Sequence, residues 1–434
     1  MKYLFTSIVT LLFASLTFGQ SCPSNDSAVM GPGSGNDVFY SLKQATSTGS
    51  GVVKTVANNT WHMAISVQAS NFPSNPANGV NIRINSTNGE NPQAGQSGWK
   101  LVKLNGEDPN NWRNIDTTGM YALPELLDSD STWNLGAFTK GYSGSNPFNF
   151  IWGTYNQSNH NVESNGNVYV LFNESAGDYK KIHVKEVTYD TMWHIIMSNI
   201  DNSDSVYLNI NKKAYPKRLF VYYNVLTNQV LDREPDSDKW DLLWTKYKGI
   251  IDFQGSKVPY GVTGVLHNNG VKVAQNLGKK CDEVWLRTKT AMDENNISTI
   301  GHDWKTFNGS AYDITDTFVY FITTSDTVTY KMTMKSYQGG GMGKTEFNLY
   351  EATLSLDENT ISSLLNMYPN PVQNMLNINS ETEILEVLIY DMQGKLVLES
   401  GKSNTIDVNS LNKGVYVVTV RTSEGVAHQT IIKE

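Results

Sequence analysis

Phe318-Val-Tyr-Phe-Ile322 and Tyr330-Lys-Met-Thr-Met334 decide the fold class. Both are short, rich in β-branched and aromatic residues, and too brief for a helix with an apolar stripe. Val168-Tyr-Val-Leu-Phe172 repeats the pattern, and Gly/Asn clusters separate such runs along the body. The reading is all-β. Of the 434 residues, 11% are aromatic and only 18% charged, a balance that opposes a disordered chain. A net charge of −8 leaves no basic footprint for nucleic acid and no polybasic cluster for an acidic membrane. Two cysteines exclude a disulfide framework and any four-cysteine metal site.

The N-terminus reads as a secretory signal peptide over residues 1–20. Lys2 precedes an apolar run from Tyr3 to Phe18 and then small residues. Gly19 stands where a lipobox wants an apolar residue, so Cys22 is not read as a lipid anchor. No stretch is long and apolar enough for a transmembrane segment. Residues 21–35 are polar and Gly-rich and read as a linker.

The body shows internal self-similarity. Asp37-Val-Phe-Tyr-Ser-Leu42 parallels Leu219-Phe-Val-Tyr-Tyr-Asn-Val225, and Trp61-His-Met-Ala-Ile65 parallels Trp240-Asp-Leu-Leu-Trp244. Trp152-Gly-Thr-Tyr-Asn156 parallels Trp304-Lys-Thr-Phe-Asn308, and Tyr179 and Tyr330 follow after 27 and 26 residues. This predicts two related β-rich units in tandem, at 36–200 and 217–356, the first with an insertion near 91–135.

Residues 366–434 change character. Met367-Tyr-Pro-Asn-Pro-Val372, Ile389-Tyr-Asp-Met-Gln-Gly-Lys395, Leu411-Asn-Lys-Gly-Val-Tyr416 and Ile431-Ile-Lys433 form short strands broken by Gly turns, a small β-sandwich. The order of these motifs closely resembles the type A C-terminal sorting domain of the type IX secretion system of Bacteroidetes. That resemblance implies a secreted or outer-membrane-surface protein handled by the type IX machinery.

The second unit resembles the HmuY-like haem-binding family. The resemblance lies in Val230-Leu-Asp-Arg-Glu-Pro235, Trp240-Asp-Leu-Leu-Trp-Thr-Lys-Tyr247, Pro259-Tyr-Gly-Val-Thr-Gly-Val265 and Gly301-His-Asp-Trp-Lys-Thr-Phe-Asn308. The first unit looks like a more distant copy. The resemblance implies a non-enzymatic protein that takes haem, free or from a haem-carrying protein, for iron capture. Haem iron needs imidazole or thioether donors. His302, His267 at an expected hairpin tip, and Met342 in Gly339-Gly-Gly-Met-Gly343 are the candidate ligands. His160 is a loop candidate in the first unit, whereas His62 and His183 sit in strand patterns that suit packing. No two histidines match between the units.

The alternative is a surface adhesion or glycan-binding module that exposes Trp99, Trp112 and Trp133 from the insertion. No catalytic signature supports an enzyme. Gln338 to Thr345 imitates a phosphate loop but leads into an alternating strand rather than a helix. The carboxylates between Asp232 and Asp241 lack the EF-hand pattern. Cys22 and Cys281, in an oxidising compartment, are either a disulfide or two separate thiols.

Overall fold

Period-two burial builds the body. On the strand Phe220–Asn224, Phe220 and Tyr222 enter one apolar cluster while Val221 and Tyr223 enter another. Both faces of such a strand are covered, so it reads as a continuous apolar run. The computed structural model describes residues 25–351 and 365–434, apart from 71–75, 92–93, 107, 279, 282–295, 381–382, 393–394 and 423–424. The expected signal peptide, Cys22 and the segment joining body to tail lie outside the described residues. The chain divides into two compact units, one up to residue 352 and one from residue 353.

The first half of the body contributes β1 (Asn25–Val29), β2 (Asn36–Tyr40), β3 (Val52–Ala57), β4 (Met63–Ser66), β5 (Ile82–Ile84), β6 (Lys100–Leu104), β7 (Gly153–Asn156), β8 (Asn161–Ser164), β9 (Val168–Asn173), β10 (Asp178–Thr188) and β11 (Met192–Ser198). The second half contributes β12 (Val206–Asn211), β13 (Phe220–Asn224), β14 (Gln229–Leu231), β15 (Leu242–Phe253), β16 (Ser256–His267), β17 (Lys272–Asn276), β18 (Lys305–Phe307), β19 (Tyr312–Ile314), β20 (Val319–Thr323), β21 (Thr329–Tyr337) and β22 (Lys344–Glu351).

These strands form stacked sheets. One outer sheet runs β6-β9-β10-β11-β12, with β8 and β7 on the far end of β10. It packs on an inner sheet, β14-β13-β4-β5, through Met63, Ile65, Val221 and Tyr223 against Tyr169, Ile182 and Trp193. The second inner sheet, β3-β2-β15-β16, meets the first through Phe39 and Leu243 against Ala64, Phe220 and Tyr222. Its other face sets Tyr40, Leu242 and Trp244 against Tyr320, Met332 and Phe347 of the second outer sheet, β1-β22-β21-β20-β17. Trp152, Trp193, Trp244 and Trp304 are all buried in these layers.

The halves expected at 36–200 and 217–356 are interleaved rather than set side by side. The halves share one strand order but exchange strands. β2 of the first half pairs with β15 of the second, and β4 pairs with β13. The opening strand of each half also crosses over: β1 completes the sheet of β22, and β12 completes the sheet of β11. The expected linker therefore holds a strand from Asn25. Its polar sequence hides this, because β1 is an edge strand that takes its order from β22 and buries Ala28.

In the tail, β23 (Leu365–Tyr368), β24 (Met375–Ser380) and β27 (Thr405–Asp407) form one sheet. β25 (Ile384–Asp391), β26 (Leu396–Ser400), β28 (Gly414–Thr422) and β29 (Gly425–Lys433) form the other. Leu376, Ile378, Val387, Ile389, Val418 and Ile431 fill a core built from tail residues alone. Each unit thus carries its own apolar core, which is what independent folding requires. A chain ending at residue 352 is expected to keep the body's near-ultraviolet circular dichroism and its melting temperature within about 3 °C. Loss of cooperative melting in that truncation would show that the body depends on the tail.

Candidate functional site

The cleft between the two inner sheets gathers a cluster of buried charged residues. Alternation puts it there: Asp37 shares a face with Phe39 on β2, Thr245 shares one with Leu243 on β15, and Arg83 alternates with Ile82 and Ile84 on β5. Arg233 lies just beyond β14 and reaches across. Its Nη1 donates to Asp37 at 2.7 Å and its Nη2 to the Ala57 carbonyl at 2.8 Å. The Thr245 hydroxyl donates to the other oxygen of Asp37 at 2.6 Å. The guanidinium also stands 5.0 Å from the Tyr222 ring centre and 5.8 Å from that of Trp61.

Glu234 is buried beside this pair. It accepts from the backbone N–H groups of Leu219 and Phe220 at 2.9 and 3.2 Å, and from the Tyr222 hydroxyl at 2.7 Å. Burial pushes its carboxyl up to about 7. Arg83 holds the insertion down over the cleft, donating to the carbonyls of Thr132, Leu135 and Ser129. That segment carries Asp128, Asp130 and Trp133 into the lining, and the Trp133 indole N–H donates to the His267 carbonyl at 2.8 Å. A cavity of about 70 Å³ remains. Two donors on its lining residues, Trp61 Nε1 and Arg233 Nε, have no acceptor among the described residues.

The expected haem donors fall in three different settings. His267 ends β16 and is fully buried, not raised at a hairpin tip. Its ring nitrogens sit 3.0 Å from the Asn268 carbonyl and 2.9 Å from the Asn296 carbonyl, so both are taken up by backbone. Met342 is exposed on the short helical turn Gly339–Met342 that joins β21 to β22. His302 lies beside the cleft, with Nδ1 3.3 Å from the Tyr247 hydroxyl. Burial, and then Lys305, lowers its pKa. His302 thus meets a tyrosine hydroxyl, His267 meets backbone carbonyls, and Met342 faces solvent.

The exposed-tryptophan expectation is overturned. Trp99 and Trp112 are buried, and Trp133 is half-buried under the Arg83 guanidinium. Trp99 packs edge-on to His62, and Trp112 stacks on His183 beneath Arg113. The polar sequence around them misled, because large indoles bury where neighbouring chain segments cover them. Cys281 is disulfide-bonded, and Cys22, the other cysteine of the chain, lies outside the described residues. The Arg233–Glu234 centre was missed as a site. Its signal was present: an Asp opening the apolar run at Asp37, and an Arg-Glu pair closing β14.

Residues 366–434 match the secretion system C-terminal sorting domain. Delivery to the cell surface or the extracellular space follows from that domain, and no described helix is long and apolar enough to cross a membrane. A stretch of 73 residues is 36% identical to beta-agarase D of Zobellia galactanivorans, covering 16% of this chain and 15% of that protein. Coverage that small says nothing about the body's ligand. The HmuY-like resemblance of residues 217–351 draws no support from these matches.

Breaking the buried pair should be costly, since one partner's loss strands the other's charge. Arg233→Met is expected to destabilise the body by about 3–5 kcal/mol in urea unfolding, and Asp37→Asn with Arg233→Met by less. A loss in the double variant equal to the sum of the losses in Arg233→Met and Asp37→Asn alone would show that the pair is not coupled.

Proposed function

We propose that the sorting domain delivers a non-enzymatic binding protein to the cell surface, with the inner-sheet cleft as its recognition centre. One observation carries this reading: one indole and one guanidinium N–H without an acceptor among the described residues, set among aromatic rings. A buried donor left unpaired is unfavourable by about 1–3 kcal/mol, and a ligand oxygen would recover that. The charged groups around them are held by one another and by backbone, an arrangement that fixes a shape. Trp61→Phe keeps an aromatic ring and removes one donor. It should abolish the thermal shift that a cleft ligand gives the wild-type chain, while leaving the melting temperature without ligand within about 2 °C. A ligand that stabilises both chains equally would bind elsewhere.

Haem is the second reading, and His302 carries it. Neutral imidazole is the form that ligates iron, and burial favours it here. Nε2 of His302 makes no hydrogen bond among the described residues. A porphyrin exceeds the 70 Å³ cavity and would instead lie along the β15–β16 hairpin, where Ile250, Phe253 and Tyr260 are exposed. Haemin titration should then give a saturable, red-shifted Soret band that His302→Ala removes and Met342→Ala leaves unchanged. Because the pKa of His302 is lowered, the band should persist as pH falls through 6.5, where an ordinary histidine is half protonated. An unsaturable spectrum, or one unaltered by His302→Ala, rules this reading out.

Export is tested separately. Deleting residues 366–434 should leave the body in the periplasm of a host with the type IX machinery. Normal surface levels of the tailless chain, measured by surface labelling, would contradict the role given to the tail.

A further inference from the structure

A second pocket lies away from the cleft, at the end of the first outer sheet, with a volume of about 250 Å³. Phe150, Tyr155, His160 and Tyr189 give it aromatic walls, and Val162 and Val187 an apolar floor. Two hairpin connections shape it. The β10–β11 connection is Tyr189, Asp190 and Thr191; the first two have φ of 47° and 51°, and the Thr191 N–H donates to the Thr188 carbonyl at 2.8 Å. Two positive φ values make this a type I′ turn, a conformation that Asn-Gly adopts with least strain. A bulky residue at the first position is disfavoured, yet this one carries a tyrosine that is 63% exposed.

The turn is pinned in place. The Asp190 carboxylate accepts from the Ser70 backbone N–H at 2.6 Å and from its hydroxyl at 3.0 Å, and pairs with buried Lys212. Lys212 also donates to the Gly79 carbonyl at 2.6 Å. From the neighbouring β7–β8 connection His160, with φ of 59°, sets its ring 6.1 Å from that of Tyr189. Its Nδ1 lies 2.7 Å from the Tyr155 hydroxyl, and Tyr155 is backed by a stacked Phe148. Strained backbone on two adjacent turns thus presents aromatic faces to one space, the pattern that strain at binding sites takes.

We propose that this pocket binds a single pyranose ring of a neutral carbohydrate. Aromatic walls receive the C–H face of a sugar, while the Tyr155 hydroxyl, the imidazole and the Ser70 hydroxyl offer polar partners at the rim. A cation would suit the rings, but the one carboxylate of the lining is already neutralised by Lys212. The pocket is independent of the cleft and of any haem site. Saturation-transfer NMR on the full-length protein with the methyl glycosides of glucose and galactose should show transfer from at least one of them. Tyr189→Gly relieves the turn, so its melting temperature should hold or rise while affinity for that sugar falls at least tenfold. Trp61→Phe, in the cleft, should leave sugar binding unchanged. No transfer from either glycoside, displacement of the sugar by choline, or undiminished binding in Tyr189→Gly would each overturn the proposal.

Discussion

The ion pair between Asp37 and Arg233 sits where the two halves of the body are laced together. Asp37 comes from β2, which the second half's β15 holds in place, and Arg233 follows β14 in the other inner sheet. An isolated charge at this depth would be prohibitive. A pair with both carboxylate oxygens and both terminal guanidinium nitrogens directed is tolerable only in one register. Thr245 fixes the second oxygen of Asp37, and the Ala57 carbonyl takes the far end of the guanidinium. A one-residue slip of β2 would turn Asp37 toward the apolar layer of Trp244 and Phe347, and Phe39 with it. The polar centre therefore serves as a register lock where two largely apolar sheet faces meet.

Strand exchange explains how the cleft arises at all. Each outer sheet needs a partner for its apolar face, and the inner sheets supply it. What remains is the contact of inner sheet with inner sheet, where Ala64, Phe220 and Tyr222 face Phe39 and Leu243. Small and large residues alternate there, and the charged groups occupy the same stripes. The insertion between β6 and β7 then closes one side through Arg83. A chain without that insertion would leave Arg83 with no carbonyls to bond.

Much of this was legible in the sequence. Runs such as Phe318–Ile322 and Val168–Phe172 became β20 and β9, with only a residue's difference at an end. The tail was legible because its turns need Gly at fixed places and its strands follow at short intervals. The paired motifs around Trp152 and Trp304 also marked real geometry, since each indole is buried just before a two-stranded hairpin. What escaped was anything decided by partners far along the chain. Asn25–Val29 has no strand propensity of its own, and nothing in a local window says that β2 pairs with β15. His267 looked like a hairpin tip because Asn268-Asn-Gly270 is a turn, but the layer beneath that turn was out of view.

The aromatic residues show how burial and presentation are separated in one chain. The tryptophans have the largest apolar area to remove from water, and the sheet layers take most of it. Tyrosine tolerates a wet edge, and Tyr189, Tyr207 and Tyr260 remain well exposed. Exposure alone means little, since a single apolar side chain on a surface needs no explanation. Tyr189 differs from the others in being held. Its backbone is left-handed, its neighbour is tied to Ser70 and Lys212, and a second aromatic turn faces it. Gly or Asn at such a position would remove the strain without touching the core. Tyr189, with its anchoring carboxylate neighbour and opposing imidazole, combines a strained backbone with a fixed exposed ring, the combination that binding sites show.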